Sequence, residues 1–270
     1  MKRILLFLGL CLAFLSLISL KEASAQLLLE TGKIALSLKP GETAVGEIKI
    51  NNITDKEVAV KAYWQDFVYT PPFDGNKKFF PPATTPLSCS QWVSFSPQDF
   101  QLKPFEKKTI SYNIKFPASA QGGYYGVLFF ENHSAQKDSK TGVSVIARVG
   151  CLFFLETAAS PKDAKVRDVK AVGNRIEGDI QNNSQIILIP KGIFYIMNKE
   201  GLIADRGELG AFYLPPGQDV PFFINVSDKV SLGTYTMVLT FDLGDGDSLV
   251  QEVDFTKTER SNLVILQVRD

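Results

Sequence analysis

His133 is the single histidine of the 270-residue chain. It lies in a polar stretch, Asn132 to Thr141, with no serine- or cysteine-centred triad around it. One imidazole cannot build a histidine-rich metal site, so its expected place is a solvated loop. Asp242, Asp245 and Asp247 cluster in DLGDGDS, but the calcium-loop pattern is not met, and an Asp-Gly hairpin turn accounts for the composition. The remaining carboxylates are scattered at no spacing that singles out an acid–base pair. There is no phosphate-binding loop and no dinucleotide fingerprint. The chain is therefore read as a non-enzyme without metal or cofactor.

Two other sets of residues invite a chemical reading. Cys89 and Cys151 remain once the first 25 residues are removed. In an oxidising compartment they could form a disulfide; otherwise they are two reduced thiols, with Cys151 a small core residue. The second set is aromatic: Tyr69, Phe73, Phe79 and Phe80 sit in a proline-rich stretch, YTPPFDGNKKFFPPATTP, outside any clean strand. Loops this long are commonly functional. Their rings could stack on cell-wall polysaccharide, or fold back as a lid over the core.

The elements that must position these residues are strands. Apolar-helical periodicity is nearly absent, and short β-rich runs recur between Gly, Pro, Asn and Asp turns, which predicts an all-β chain of two tandem immunoglobulin-like sandwiches. Leu27–Leu38 opens the first domain, Pro40-Gly41-Glu42 is a turn, and Thr43–Ile50 alternates up to a turn at Asn51-Asn52. Val58–Val68, Trp92–Phe95 and Thr109–Phe116 read as further strands. The stretch Gln121–Glu156 holds two long apolar runs around a polar insert. In the second run Val143, Val145, Ala147, Val149, Cys151, Phe153 and Leu155 share one face at period two. The boundary falls in AASPKD, giving domains over 26–158 and 163–270. A weak internal repeat supports two copies of one fold. Leu102-x-Pro104 and Leu214-x-Pro216 each precede an alternating strand, and Tyr125 and Tyr235 each stand where such a domain keeps its corner tyrosine. The tail, NLVILQVRD, is expected as the last strand of the second domain or as an edge that pairs with a partner.

Lys2 and Arg3, the apolar run Ile4–Leu20 and Ala23-Ser24-Ala25 read as a signal peptide over 1–25. No second apolar run approaches membrane-spanning length, so a periplasmic or extracellular protein without a span after cleavage is expected. Loss of Lys2, Arg3, Lys21 and Glu22 leaves 26 basic against 28 acidic residues. That near-neutral balance argues against a nucleic-acid partner.

Four segments carry a resemblance: LKPGETAVGEIKINN, SQWVSFSPQDFQLKP, GGYYGVLFF and VIARVGCLFFLE. Their layout resembles the tandem sandwiches of periplasmic pilus-type chaperones, and equally the extracellular region of WxL-interacting cell-wall proteins. The first resemblance implies strand addition to an envelope or surface protein, a pilin-like one included, along the last strand of the first domain, where Val143, Val145 and Ala147 stand. It also implies two basic residues gripping the partner's terminal carboxylate. The second of these positions falls near Cys151, and Lys33 and Arg148 are the nearest basic residues. The second resemblance implies binding to the cell wall or to surface proteins.

Overall fold

Inward-facing Ile48 and Ile50, Ile110 and Ile114, and Phe153 and Leu155 are all fully buried and alternate with more exposed neighbours. That period-two pattern marks strands with one face on a core. The computed structural model describes residues 26–133, 146–158, 160–259 and 262–269. Residues 1–25, Val143 and Val145 lie outside the described residues.

Ten strands build the first sandwich: β1 (Leu27–Leu29), β2 (Lys33–Leu38), β3 (Thr43–Asn52), β4 (Val58–Tyr69), β5 (Lys77–Phe80), β6 (Val93–Ser96), β7 (Asp99–Leu102), β8 (Lys107–Lys115), β9 (Gly123–Asn132) and β10 (Arg148–Thr157). One sheet has the order β1-β3-β8-β6. The other runs β2-β10-β9-β4-β5, with β7 also on β4. The second sandwich uses β11 (Ala164–Val172), β12 (Arg175–Asn182), β13 (Lys191–Met197), β14 (Ile203–Leu209), β15 (Asp219–Asn225), β16 (Gly233–Gly244), β17 (Asp247–Glu259) and β18 (Asn262–Arg269). Its sheets are β11-β12-β15 and β14-β13-β16-β17-β18. The chain is thus all-β, two sandwiches in tandem.

Several elements differ from the sequence reading. Leu27–Leu38 is two strands: β1 pairs antiparallel with β3 in one sheet, and β2 pairs parallel with β10 in the other. The chain changes sheets through Glu30-Thr31-Gly32. The strand expected from Val143 begins, as described, at Arg148. The proline-rich stretch contains a hairpin, with β5 folded back on β4. The buried carboxylate of Asp66 holds the next turn, accepting the N–H groups of Thr84 and Thr85, both at 3.0 Å, and the Ser88 hydroxyl at 2.7 Å. The tail is β18, an edge strand on β17.

The internal repeat has a physical basis in two buried asparagines. The Asn52 amide donates to the carbonyls of Lys56 (2.7 Å), Lys103 (2.9 Å) and Leu102 (3.3 Å), while its Oδ1 accepts the N–H and hydroxyl of Thr54. Asn182 does the same in the second sandwich. It donates to Ile186 and Leu214, both at 2.8 Å, and accepts the N–H and hydroxyl of Ser184. In each domain one asparagine therefore ties its own turn to the distant Leu-x-Pro turn.

Candidate partner-binding edge

The sheet change at Glu30–Gly32 creates the feature that matters most. β10 pairs with β9 from Arg148 to Glu156, but with β2 only from Leu152 onward. The first tie to the β2 side is the Leu152 N–H on the Gly32 carbonyl, 2.9 Å. On the β9 side, the Ala147 carbonyl accepts the Asn132 N–H at 3.0 Å. Backbone groups alternate sides along a strand, so the N–H and C=O of Arg148 and Gly150 point to the edge that β2 leaves open. Among the described residues no strand covers them. β1 has turned away into the opposite sheet.

The faces of β10 divide cleanly. Cys151, Phe153 and Leu155 point into the core of the first sandwich. Leu152 and Phe154 lie on the other face and join a second cluster, which contains the core of the second sandwich. On that outer face the Arg148 guanidinium lies 4.1 Å from the Phe129 ring centre and 5.4 Å from that of Phe79. It donates to the Tyr63 hydroxyl (3.2 Å) and the side-chain Oε1 of Gln65 (3.4 Å). Tyr63 in turn donates to Glu131 at 2.6 Å, and burial together with that bond raises its pKa. His133 stands beside the other Glu131 oxygen at 3.2 Å.

Lys33 opens β2, opposite Leu152, with its Nζ 3.9 Å from the Phe154 ring centre. Burial against the ring lowers its pKa. Arg148 is four residues from Lys33's partner, about 13 Å along the strand. Their charged heads sit on different rings, so the paired carboxylate grip implied by the resemblance is not formed by these two. Further along β10 stands an acid, Glu156. Glu156 accepts from the Tyr125 hydroxyl at 3.3 Å, and burial pushes its pKa up. Lys162, which also acts on it, is paired with Asp245 at 2.7 Å.

The Glu156 shift has a pH consequence. A carboxyl raised above its ordinary 4.5 favours the folded state when protonated. Its contribution is fully present below 4.5 and is lost as pH rises through the elevated folded value. Glu156→Gln is therefore expected to be more stable than wild type at neutral pH, with the advantage vanishing under acid. Urea midpoints measured across that range check it.

The remaining candidate residues have structural roles. Tyr69 and Phe73 are 4% and 8% exposed, too little for a sugar to reach, which corrects the stacking reading for those two. Tyr69 packs on Tyr213 of the second sandwich at 4.8 Å between centres, and the Phe73 carbonyl accepts the Tyr213 N–H at 2.8 Å. Phe79 packs edge-on against Phe129, and Phe80 lies under Lys78. The proline-rich stretch is therefore an arm reaching the second domain. Cys89 and Cys151 are both buried free thiols, with burial pushing the Cys151 pKa up to about 12 and that of Cys89 up as well. Asp242 caps the Gly244 N–H, and no acidic, histidine or cysteine cluster among the described residues is fit to hold a metal. Tyr235 donates to the Ser231 carbonyl (3.0 Å), a corner bond. Tyr125, expected to match it, instead accepts the Ile187 N–H at 2.7 Å across the domain interface.

The fold so described is similar to that of fimbrial chaperones of known structure. The chain overlays the class 5 fimbriae chaperone CfaA with a TM-score of 0.53, at 13% identity, over 84% of this chain and 98% of the other. A structure described under a chaperone–tip adhesin complex in CFA/I fimbriae biogenesis overlays with a TM-score of 0.51, at 12% identity, over 89% and 98%. At these identities the likeness is one of fold. No protein-family model matches the chain, and no curated protein does.

Proposed function

We propose that this is a non-enzymatic, exported protein of chaperone-like design that receives a strand of an envelope or surface protein, a pilin-like subunit being the partner class, against the open half of β10. The observation that carries this is the uncovered edge from Arg148 to Cys151, beside a fold shared with a fimbrial chaperone. Strand addition takes its affinity from main-chain hydrogen bonds and its specificity from alternate side chains. Arg148 and Gly150 offer the first. Arg148 outward and Val149 inward contribute to the second. Export rests on the Lys2-Arg3, Ile4–Leu20 and Ala23-Ser24-Ala25 signature. No helix among the described residues is long and apolar enough to cross a membrane. No observation favours polysaccharide binding by Tyr69 and Phe73.

The test separates backbone from side chain. Arg148→Ala removes the guanidinium but keeps the open N–H. Arg148→Pro also removes that N–H, and an edge position tolerates proline. Partner capture from envelope extracts is expected to survive the alanine change and to fail with proline. Equal capture by the proline variant and the wild type would remove strand addition at this edge.

A further inference from the structure

Gln26 follows directly on Ala23-Ser24-Ala25. Cleavage at that small-x-small site makes it the first residue of the exported chain. The fold holds this residue in place. Its carbonyl accepts the Ile53 N–H at 3.1 Å, and β1 starts at the next residue. Its side-chain Oε1 accepts the Nδ2–H of Asn132, a residue only 3% exposed at the end of β9. Gln26 itself is half-buried. The two side chains bridge the two sheets of the first sandwich. A cut after Ala25 thus leaves a free α-amine on a glutamine whose carboxamide oxygen is already hydrogen-bonded.

We propose that Gln26 closes on itself to form an N-terminal pyroglutamate, assisted by Asn132; the inference rests on the reading of residues 1–25 as a signal peptide. The step balances without a co-reactant. The uncharged α-amine adds to the side-chain Cδ, and the new N–Cδ bond closes a lactam ring. The Cδ–Nε2 bond breaks, and Nε2 leaves as ammonia with a proton taken from the α-amine. Nucleophile and target belong to one residue, so no encounter has to be arranged. α-Amino groups titrate at about pH 8, so part of the amine is free to attack at neutral pH. The carboxamide oxygen turns negative as the amine adds, and the Asn132 Nδ2–H is the donor set on it. The lactam keeps that same oxygen, so the bond to Asn132 survives the reaction.

What changes is charge. Asn132 also donates its backbone N–H to the Ala147 carbonyl, next to the open half of β10. One residue therefore separates the end of the exported chain from the edge proposed to receive a partner strand. Cyclisation makes that end neutral, and leaves no free amine from which an aminopeptidase could start.

Mass spectrometry of the exported protein tests this, read on the intact chain and on its N-terminal peptide, fresh and after incubation at neutral pH. The expected peptide starts at Gln26 and is lighter by one ammonia. Asn132→Asp keeps the side-chain shape but replaces the donor with a carboxylate oxygen, and is expected to lose ammonia at least about tenfold more slowly. Asn132→Ala, which also lacks the donor, gives a second reading, and far-ultraviolet spectra establish that both variants fold. Gln26→Ser has no carboxamide and is expected to keep its full mass. A wild type that starts at Gln26 and retains its ammonia after incubation overturns the inference while leaving the signal-peptide reading standing. A chain that starts elsewhere overturns both. Loss of ammonia at the wild-type rate in both Asn132 variants also overturns the proposal, because the fold then contributes nothing to the ring closure.

Discussion

Asn182→Ala is expected to cost about 4 kcal/mol, among the largest losses a single side chain of this protein can produce. The residue is fully buried and makes four hydrogen bonds. Alanine removes all four, each worth about 1 kcal/mol net, and leaves the Ser184 N–H without its acceptor, while the Ser184 hydroxyl keeps the Ile186 carbonyl at 3.1 Å and the Leu214 carbonyl keeps the Leu188 N–H at 3.0 Å. A buried polar group left unpaired costs about 1–3 kcal/mol; local relaxation and entering water recover part of that. Asn52→Ala breaks the equivalent network in the first sandwich, but there Lys56, Lys103 and Thr54 lie nearer to solvent. Its expected cost is smaller, about 3 kcal/mol. Asn182→Asp separates hydrogen bonding from shape. The carboxylate keeps both acceptor contacts but faces the Ile186 and Leu214 carbonyls with negative charge, so its loss is expected to shrink as pH falls and the acid gains a proton to donate. Urea midpoints of the three variants, measured at neutral and acid pH, check the set. A loss near 1 kcal/mol for Asn182→Ala would mean that the tie between turn and Leu-x-Pro segment is incidental.

These asparagines show where the sequence could be read and where it could not. Asn51-Asn52 and Asn182-Asn183 read as turns because Asn favours turns, and turns they are. Nothing local says that Asn52 reaches a carbonyl 50 residues on, or Asn182 one 32 residues on. Strand existence was legible where one face is buried: Thr109–Phe116 and the Cys151-Phe153-Leu155 face alternate as packing demands. It failed where that condition fails. β14 is a charged edge with little apolar signal, and β7 is only four residues long. Leu27–Leu38 is apolar through both halves, which hides the change of sheet at Glu30–Gly32. That change decides where β10 is open. The sequence reading puts the candidate edge on Val143, Val145 and Ala147; the first two lie outside the described residues, and the described strand begins at Arg148. Tyr125 and Tyr235 occupy matching places in the repeat, yet only Tyr235 makes the corner bond. The first sandwich's outer face meets another domain, and its tyrosine is drawn into that contact.

That contact sets the second large effect. The interface is built on Gly122-Gly123: the Gly123 N–H donates to the Gln185 carbonyl at 2.9 Å, and Ile187 donates to Tyr125 two residues further along. Gly122 has φ +73°, and a Cβ there would meet the Gln185 carbonyl oxygen and come within 2.7 Å of the Gln185 Cβ. Gly122→Ala therefore combines left-handed strain of about 1–2 kcal/mol with a backbone collision that only separation of the sandwiches relieves. The expected loss is about 3 kcal/mol, concentrated in the coupling between domains. Large apolar interfaces make two domains unfold together. Here one cluster runs from Phe67, Tyr125 and Phe154 into the core of the second sandwich, so the wild type is expected to melt in one step. Both tryptophans, Trp64 and Trp92, belong to the first sandwich, so their fluorescence reports that domain alone while far-ultraviolet dichroism reports both. In the wild type the two signals should coincide. In Gly122→Ala the dichroism should begin to fall before the fluorescence moves, or after it. Coincident curves for the variant would mean that the interface holds through the proline-rich arm at Tyr69, Phe73 and Tyr213 without the glycine turn. A Gly122→Ala, Tyr213→Ala double variant would then be the one to split.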